Sequence, residues 1–284
     1  MKQTIAILYG KTIKAIKRVC GYQIGLIKPL KDLHLYLTKN LKTRTANVMG
    51  HTMFLDKNDD LSLSINGEFE PMETSIVKKM VKKGDYVIDI GANIGYYTLI
   101  MAKLVGETGK VFAFEPDPNN FEILKKNVEY NGYKNVVLFN QAVSNENGTL
   151  KLYYTENGSI SRTFDAGDGR QTKDIQAVRL DDVIKERIDF IKIDIEGFEI
   201  MAMKGAYNIL NTYHPVVISE FTPRDIAKLG FKAENYLKMY ELLGYTFYDA
   251  DEEAKEVMEI ASDDLIAKYP ENGILHTNIL CIKE

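Results

Sequence analysis

Five carboxylates in this 284-residue chain stand at or just past the carboxyl ends of short apolar runs, the place where a parallel sheet meets its ligand. Asp89 lies near the end of Tyr86-Val87-Ile88-Asp89-Ile90, and Glu115 follows Val111-Phe112-Ala113-Phe114. Asp194 and Glu196 punctuate the exit of Phe190-Ile191-Lys192-Ile193, and Glu220 falls near the end of Pro215-Val216-Val217-Ile218-Ser219-Glu220-Phe221. Carboxylates so placed can balance a cationic ligand, accept from vicinal hydroxyls, or take a proton from a hydroxyl as it reacts.

Asp89 leads into the turn Gly91-Ala92-Asn93-Ile94-Gly95. The glycines permit a sharp bend or a close backbone approach. Their spacing, D-x-G-x-x-x-G, is not the G-x-G-x-x-G of a pyrophosphate cradle. Asp89, Gly91, Asn93 and Gly95 are therefore read as one end of a site for a cationic small molecule such as S-adenosylmethionine, with an ordinary strand-to-helix turn as the alternative. Glu115, at the end of the second strand, is the expected partner of ribose hydroxyls. Gln141 leaves the third strand with both a donor and an acceptor, which fits an adenine edge or simply a polar strand exit. With the adjoining Ala142 it completes the cofactor-binding set.

Residues 188–195 read as a central buried strand, yet Lys192 and Asp194 lie two apart and so share a face. Buried charge is rare unless paired or used. Lys192 is read as a structural partner for a carboxylate, and Asp194, at the strand's carboxyl end, as a working one. Asp194 is the first candidate to accept a hydroxyl proton and Glu196 the second, with Glu220 and His276 orienting the acceptor. His276 precedes Thr277-Asn278-Ile279-Leu280-Cys281, the expected antiparallel strand, which starts where the parallel strands end; an exposed strand-end histidine is the alternative. His214 falls at the opposite edge and reads as structural. Glu199 is expected to open the following helix and complement its dipole. The three acids Asp194, Glu196 and Glu220 have the hard oxygens a divalent cation takes, but no metal is expected, and no Cys/His spacing supports zinc.

Taken together, Asp89-Ile90-Gly91-Ala92-Asn93-Ile94-Gly95-Tyr96-Tyr97-Thr98, Phe114-Glu115-Pro116, Gln141-Ala142-Val143-Ser144 and Ile191-Lys192-Ile193-Asp194-Ile195-Glu196-Gly197-Phe198-Glu199 resemble the FkbM-type S-adenosylmethionine-dependent methyltransferases. The resemblance runs from Gly50 to the C-terminus. It implies a class I methyltransferase fold, S-adenosylmethionine as cofactor and, commonly, O-methylation of a sugar or polyketide hydroxyl, without identifying the acceptor. Two other readings stand beside it: a catalytically silent S-adenosylmethionine-binding or scaffold protein, and a nicotinamide-dependent oxidoreductase, which the missing G-x-G-x-x-G disfavours.

The elements that must position these residues alternate strand and helix from Tyr86 onward, the pattern of an α/β, Rossmann-like domain. A mostly parallel central sheet is predicted, with one antiparallel C-terminal strand and an N-terminal cap of helix and hairpin. The expected organisation is a basic amphipathic extension over 1–45, a cap and entry helix over 46–83, and the catalytic domain over 84–284. Within the cap, 53–56 and 61–64 read as short strands around the turn Lys57-Asn58-Asp59-Asp60. A helix is predicted from Pro71, with Glu70 ahead of it reaching toward the site. Residues 159–172, rich in Gly, Ser and Asp, read as a mobile substrate loop or a surface excursion.

Charge is uneven. Residues 1–50 hold ten Lys and Arg against Asp32 alone, which leaves 26 basic and 39 acidic side chains for the rest. An acidic catalytic part argues against a nucleic-acid substrate; the resemblance, and not the charge, implies a hydroxylated small molecule or sugar as the acceptor. Ile5, Tyr9, Ile13, Ile16 and Val19 recur at helical spacing, with Lys11, Lys14, Lys17 and Arg18 mostly between them. Such a helix suits anionic lipid, a second subunit, or docking on the catalytic domain. Neither an export signal nor a spanning segment is read, and Cys20 and Cys281 are expected as free thiols. The expected location is cytoplasmic, peripheral to a membrane if the basic helix meets lipid.

Overall fold

The computed structural model describes residues 2–20, 28–155, 161–163, 165, 167, 169–252 and 254–283. They fall into two compact units, Met1–Phe69 and Glu70–Glu284.

The first unit holds helices α1 (Lys2–Cys20) and α2 (Lys28–Leu41), the hairpin β1 (Thr45–Val48) and β2 (His51–Phe54), and a short helix α3 (Leu63–Asn66). Helix α1 packs its small residues inward: a Cβ at Gly10 would lie 2.8 Å from the Ile65 carbonyl oxygen. The Tyr9 hydroxyl is 2.7 Å from His34 Nδ1 and joins α1 to α2. The hairpin departs from expectation, turning at Met49-Gly50, both in the left-handed region, rather than at Lys57–Asp60. Asx-type hydrogen bonds are the reason. Asp56 accepts from the N–H groups of Asn58 and Asp60, and Asp59 from those of Leu63 and Ser64, which winds 63–66 into helix instead of strand.

The second unit begins with α4 (Pro71–Met80) and then follows β3 (Tyr86–Ile90), α5 (Tyr96–Val105), β4 (Lys110–Phe114), α6 (Pro118–Tyr130), β5 (Val136–Phe139), β6 (Ala142–Val143), β7 (Gly148–Tyr154) and β8 (Gln171–Val178). After α7 (Leu180–Val183) come β9 (Phe190–Ile193), α8 (Glu199–Lys204), α9 (Tyr207–Tyr213), β10 (Val216–Phe221), α10 (Pro223–Lys228) and α11 (Ala233–Leu242). The chain closes with β11 (Thr246–Asp251), β12 (Glu256–Ile260), α12 (Ser262–Lys268) and β13 (Thr277–Ile282). Among the described residues, eight strands form one sheet in the order β12-β11-β13-β10-β9-β3-β4-β5. The five from β10 to β5 are parallel, and β13 inserts antiparallel between β10 and β11, as predicted for the C-terminal strand. An edge strand, β12, adds a further antiparallel pairing on β11.

Strands β3, β4 and β9 bury nearly every side chain, which is why they read as apolar runs without alternation. Ile88, Phe112, Ile191, Val217 and Ile279 carry one core across the sheet, joined by Leu237 and Tyr240 of α11. From β3 the chain steps outward to β4 and β5, then returns to the other side of β3 for β9 and β10. That reversal makes the β3–β9 boundary the topological switch point, outside whose carboxyl ends a crevice for ligand opens.

Between β5 and β9 the chain builds a separate sheet, β6-β8-β7, with Ala142, Leu152, Ile175 and Ala177 as its own apolar cluster. Among the described residues no helix is long and apolar enough to cross a membrane. Cys281 is a buried free thiol in β13, its pKa pushed up by burial; the side chain of Cys20 lies outside the described ones.

Candidate active site

At the switch point the glycine turn folds over the end of β4, with the N–H groups of Gly91 and Ala92 both donating to the Phe114 carbonyl at 3.0 Å. Gly91 (φ 79°) and Gly95 (φ 95°) are left-handed, and the neighbours they meet are protein. A Cβ at Gly91 would sit 2.0 Å from the Asp194 carbonyl oxygen, and one at Gly95 2.7 Å from Leu124 Cδ1. These glycines let the two central strand ends approach and the helix α5 seat on α6. Asn93, between them, also takes a positive φ of 50°, which asparagine tolerates better than most residues.

Asp89 is fully buried; its Oδ2 accepts from the Thr98 hydroxyl, and its Oδ1 has no hydrogen-bond partner among the described residues. Burial raises its pKa, opposed by Lys192 and the Thr98 bond. Glu115 holds the turn from the second strand: Oε2 accepts from the Asn93 N–H at 2.8 Å and Oε1 from the Asp117 N–H at 2.8 Å. Burial pushes its pKa up to about 8 against those two bonds. The Asn93 side-chain oxygen is buried and likewise lacks a partner among the described residues. Gln141 is half-buried ahead of β6, and Ala142 is buried in β6 opposite Ala177.

On the other side of the switch point stands an ion cluster. Lys192, only 2% exposed at its side chain, reaches Asp194 at 3.1 Å and lies 4.9 Å from the centre of the Tyr97 ring. Asp194, Glu73, Asp89 and Glu70 all act on it and raise its pKa, burial working the other way. Glu73 of α4 is buried, accepts from Asn278 Nδ2 at 3.2 Å, and has its pKa raised foremost by burial. Tyr97 directs its hydroxyl to Glu70, 3.5 Å away.

Beyond β9 the loop bends at Glu196 (φ 59°) and Gly197 (φ 96°), where a Cβ on Gly197 would fall 2.8 Å from Asp225 Cβ. Glu199 pins this loop: its Oε1 accepts from the N–H groups of Ile195 at 2.9 Å and Gly197 at 3.3 Å, while Oε2 is buried without a partner among the described residues. Its pKa is pushed up to about 8 by burial. Burial, then Asp194, pushes Glu196 up to about 7, with Arg162 and Arg170 pulling down. Glu220 is raised well above its ordinary value by burial and by Asp194; its Oε2 lacks a partner among the described residues, and its Oε1 is 4.0 Å from His276 Nε2. His276 itself is 60% exposed. Of the 159–172 segment, 159, 160, 164, 166 and 168 lie outside the described residues; Ser161 donates to Asp117 and Arg162 pairs with Tyr153.

Asp194, Glu196 and Glu220 therefore interact electrostatically. Among the described residues, no three His, Cys, Asp or Glu side chains are arranged to hold a metal ion. Glu73, Tyr97 and the loop-pinning use of Glu199 were not read from the sequence. The signal for Glu73 was available: it occupies the inward face of α4 with Thr74, Ile76 and Val77.

Residues 89–249 match the family model described as the methyltransferase FkbM domain, more than half of the chain. The chain belongs to the FkbM methyltransferase family. It is 28% identical over 155 residues to the methyltransferase sdnD of Sordaria araneosa, covering 42% of this chain and 60% of that protein. It is 23% identical over 172 residues to the hexuronic acid methyltransferase AglP of Haloferax volcanii, covering 57% and 69%. Among solved structures, methyltransferase FkbM from Methylobacillus flagellatus KT aligns with a TM-score of 0.43 and 16% identity, over 77% of this chain and 52% of that one. The cofactor of this FkbM methyltransferase is S-adenosylmethionine. The site fits it: the buried, unpartnered oxygens of Asp89 and Asn93 are acceptors for a ligand bearing ammonium and hydroxyl donors, and they flank one turn at the switch point.

Proposed function

We propose that this FkbM methyltransferase transfers a methyl group to a hydroxyl oxygen of a small molecule, saccharide or glycoconjugate. The observation that carries the reading is the set of carboxylates at the ends of β9 and β10, where burial raises Glu196 to about 7 and lifts Glu220 well above its ordinary value, beside an Asp194 paired with Lys192. A group that titrates near neutrality is suited to take a hydroxyl proton. S-adenosylmethionine, when bound, supplies an electrophilic methyl group on a sulfonium. Asp89, Asn93 and the Gly91–Gly95 turn would hold its charged end, Glu115 its ribose, and Gln141 with Ala142 its base.

The chain's own residues then do the following. Glu196, placed second to Asp194 by sequence position, accepts the acceptor's proton as the new C–O bond forms, because Asp194 is held in an ion pair with Lys192. Asp194, fixed by Lys192, orients that hydroxyl, and Glu220 with His276 hold neighbouring hydroxyls. Much of the acceleration comes from alignment of the acceptor oxygen, since orientation alone is worth roughly 7–11 kcal/mol in favourable cases. Methyl incorporation from labelled donor into a panel of free and glycosidically linked sugars tests the reading. With an acceptor found, kcat/KM is expected to rise through about pH 7, and Glu196→Gln to lose turnover while keeping wild-type affinity for S-adenosylhomocysteine. Full activity in Glu196→Gln and Asp194→Asn alike would overturn the carboxylate mechanism.

A further inference from the structure

The first unit carries two exposed apolar stripes that methyl transfer does not use. On α1, Ile5 (50% exposed) and Leu8 (65%) continue into exposed Thr12 and Ala15, a spacing of three and four residues that keeps them on one side of the helix. On α2, Pro29, Leu33 (51%), Tyr36 (64%) and Asn40 repeat the pattern. The polar members turn back on their own helices, Thr12 donating to the Leu8 carbonyl and Asn40 to that of Tyr36. Each stripe therefore presents an apolar band with its polar hydrogen bonds internally satisfied.

Charge decides what such a band meets. Residues 1–50 carry ten Lys and Arg against one acid, and Lys11, Lys28 and Lys31 are exposed on these same two helices. A second copy of this unit would bring like charge against like charge. An acidic, apolar-cored surface meets both features, and a bilayer with anionic headgroups is that surface. The helices are held as a pair by the Tyr9–His34 contact, with ring centroids 5.8 Å apart, so both stripes belong to one folded unit. No described helix can span a bilayer, which leaves binding in the interface plane.

We propose that the α1–α2 unit seats this enzyme on anionic membrane surfaces, inserting Ile5, Leu8, Leu33 and Tyr36 while its lysines contact headgroup phosphates. The inference is independent of the acceptor's identity. Its test is co-sedimentation of the full chain with phosphatidylcholine vesicles and with vesicles containing phosphatidylglycerol. Binding is expected to the anionic vesicles only and to weaken with added salt. Ile5→Glu with Leu8→Glu should reduce it by at least about tenfold, and Leu33→Glu with Tyr36→Glu likewise. These positions are exposed, so circular dichroism and thermal unfolding should match wild type. Equal binding to both vesicle types, or anionic binding unmoved by the glutamates, overturns the proposal. So does a dimer in sedimentation equilibrium that Ile5→Glu with Leu8→Glu dissociates while no vesicles are bound, which would make the stripes a contact between copies.

Discussion

Replacing Lys192 by Met removes the one side chain that Asp194, Glu73, Asp89 and Glu70 all stabilise as a cation. The ammonium is 3.1 Å from Asp194 Oδ2 with 2% of its side chain exposed, whereas Asp194 is 31% exposed. At that distance a pair in a medium of effective dielectric near 20 interacts by about 5 kcal/mol, and breaking a buried pair from one side costs about 3–5 kcal/mol. Solvent at Asp194 pulls the expectation to the lower end, about 3 kcal/mol at pH 8. The pH dependence has a definite sign. Lys192 has a raised pKa, so its own contribution is complete throughout the neutral range and lost only above its ordinary pKa. Glu73 and Asp89, already raised by burial, rise further without the cation. The folded variant then holds more protons than its unfolded chain, and its stability falls as pH rises. Urea unfolding of wild type and Lys192→Met at pH 5.5 and pH 8 should show a deficit that is larger at pH 8, with Lys192→Arg intermediate. A Lys192→Met protein within about 0.5 kcal/mol of wild type at pH 8, the scatter of an ordinary surface change, would refute the reasoning.

Glu115→Ala should weaken S-adenosylhomocysteine by about 10- to 150-fold, one charge-assisted hydrogen bond or so, when measured by calorimetry on folded protein at about pH 9, above the value of about 8 to which burial pushes its carboxyl. Glu199 is pushed up to about 8, so its charged form opposes folding above its ordinary carboxylate range and that cost grows as pH rises. Glu199→Gln keeps an oxygen for the Ile195 and Gly197 N–H groups and should gain about 1 kcal/mol or more over wild type at pH 8 but little at pH 5, read from paired unfolding curves. Gly91→Ala places a methyl 2.0 Å from the Asp194 carbonyl oxygen, and the strained backbone adds about 1–3 kcal/mol. Its unfolding midpoint should drop well below that of Ala92→Gly, a change at the next position of the same turn.

The glycine turn at the end of β3 and the acids beside it were legible because their signals are local. A two-face-buried strand reads as an uninterrupted apolar run, and a carboxylate followed by glycines at its end is visible without knowing what lies beside it. The turn at Gly91 and Gly95 was found for that reason, yet what their missing side chains make room for, the Asp194 carbonyl and Leu124, belongs to segments far away in sequence. The hairpin of the first unit was misplaced for an opposite reason. Asp56 and Asp59 spend their carboxylates on nearby N–H groups, and that competition between side chain and strand pairing leaves little trace in an apolar pattern.

By itself the sequence determined the α/β class and the acids at the strand ends, since these follow from periodicity and from residue types at fixed offsets, while the family and the antiparallel β13 came from the resemblance that its motifs carry. The tertiary structure decided what those acids do. Glu73 and Asn278, more than two hundred residues apart, become partners only when α4 and β13 meet. Glu199 opens α8 as expected and, in addition, pins the Asp194–Gly197 loop, and Lys192 becomes the shared counter-charge of acids from β3, α4 and the β9 exit. Protonation near neutrality depends on burial and on neighbouring charge, and both are properties of packing that no single strand carries in its own residues.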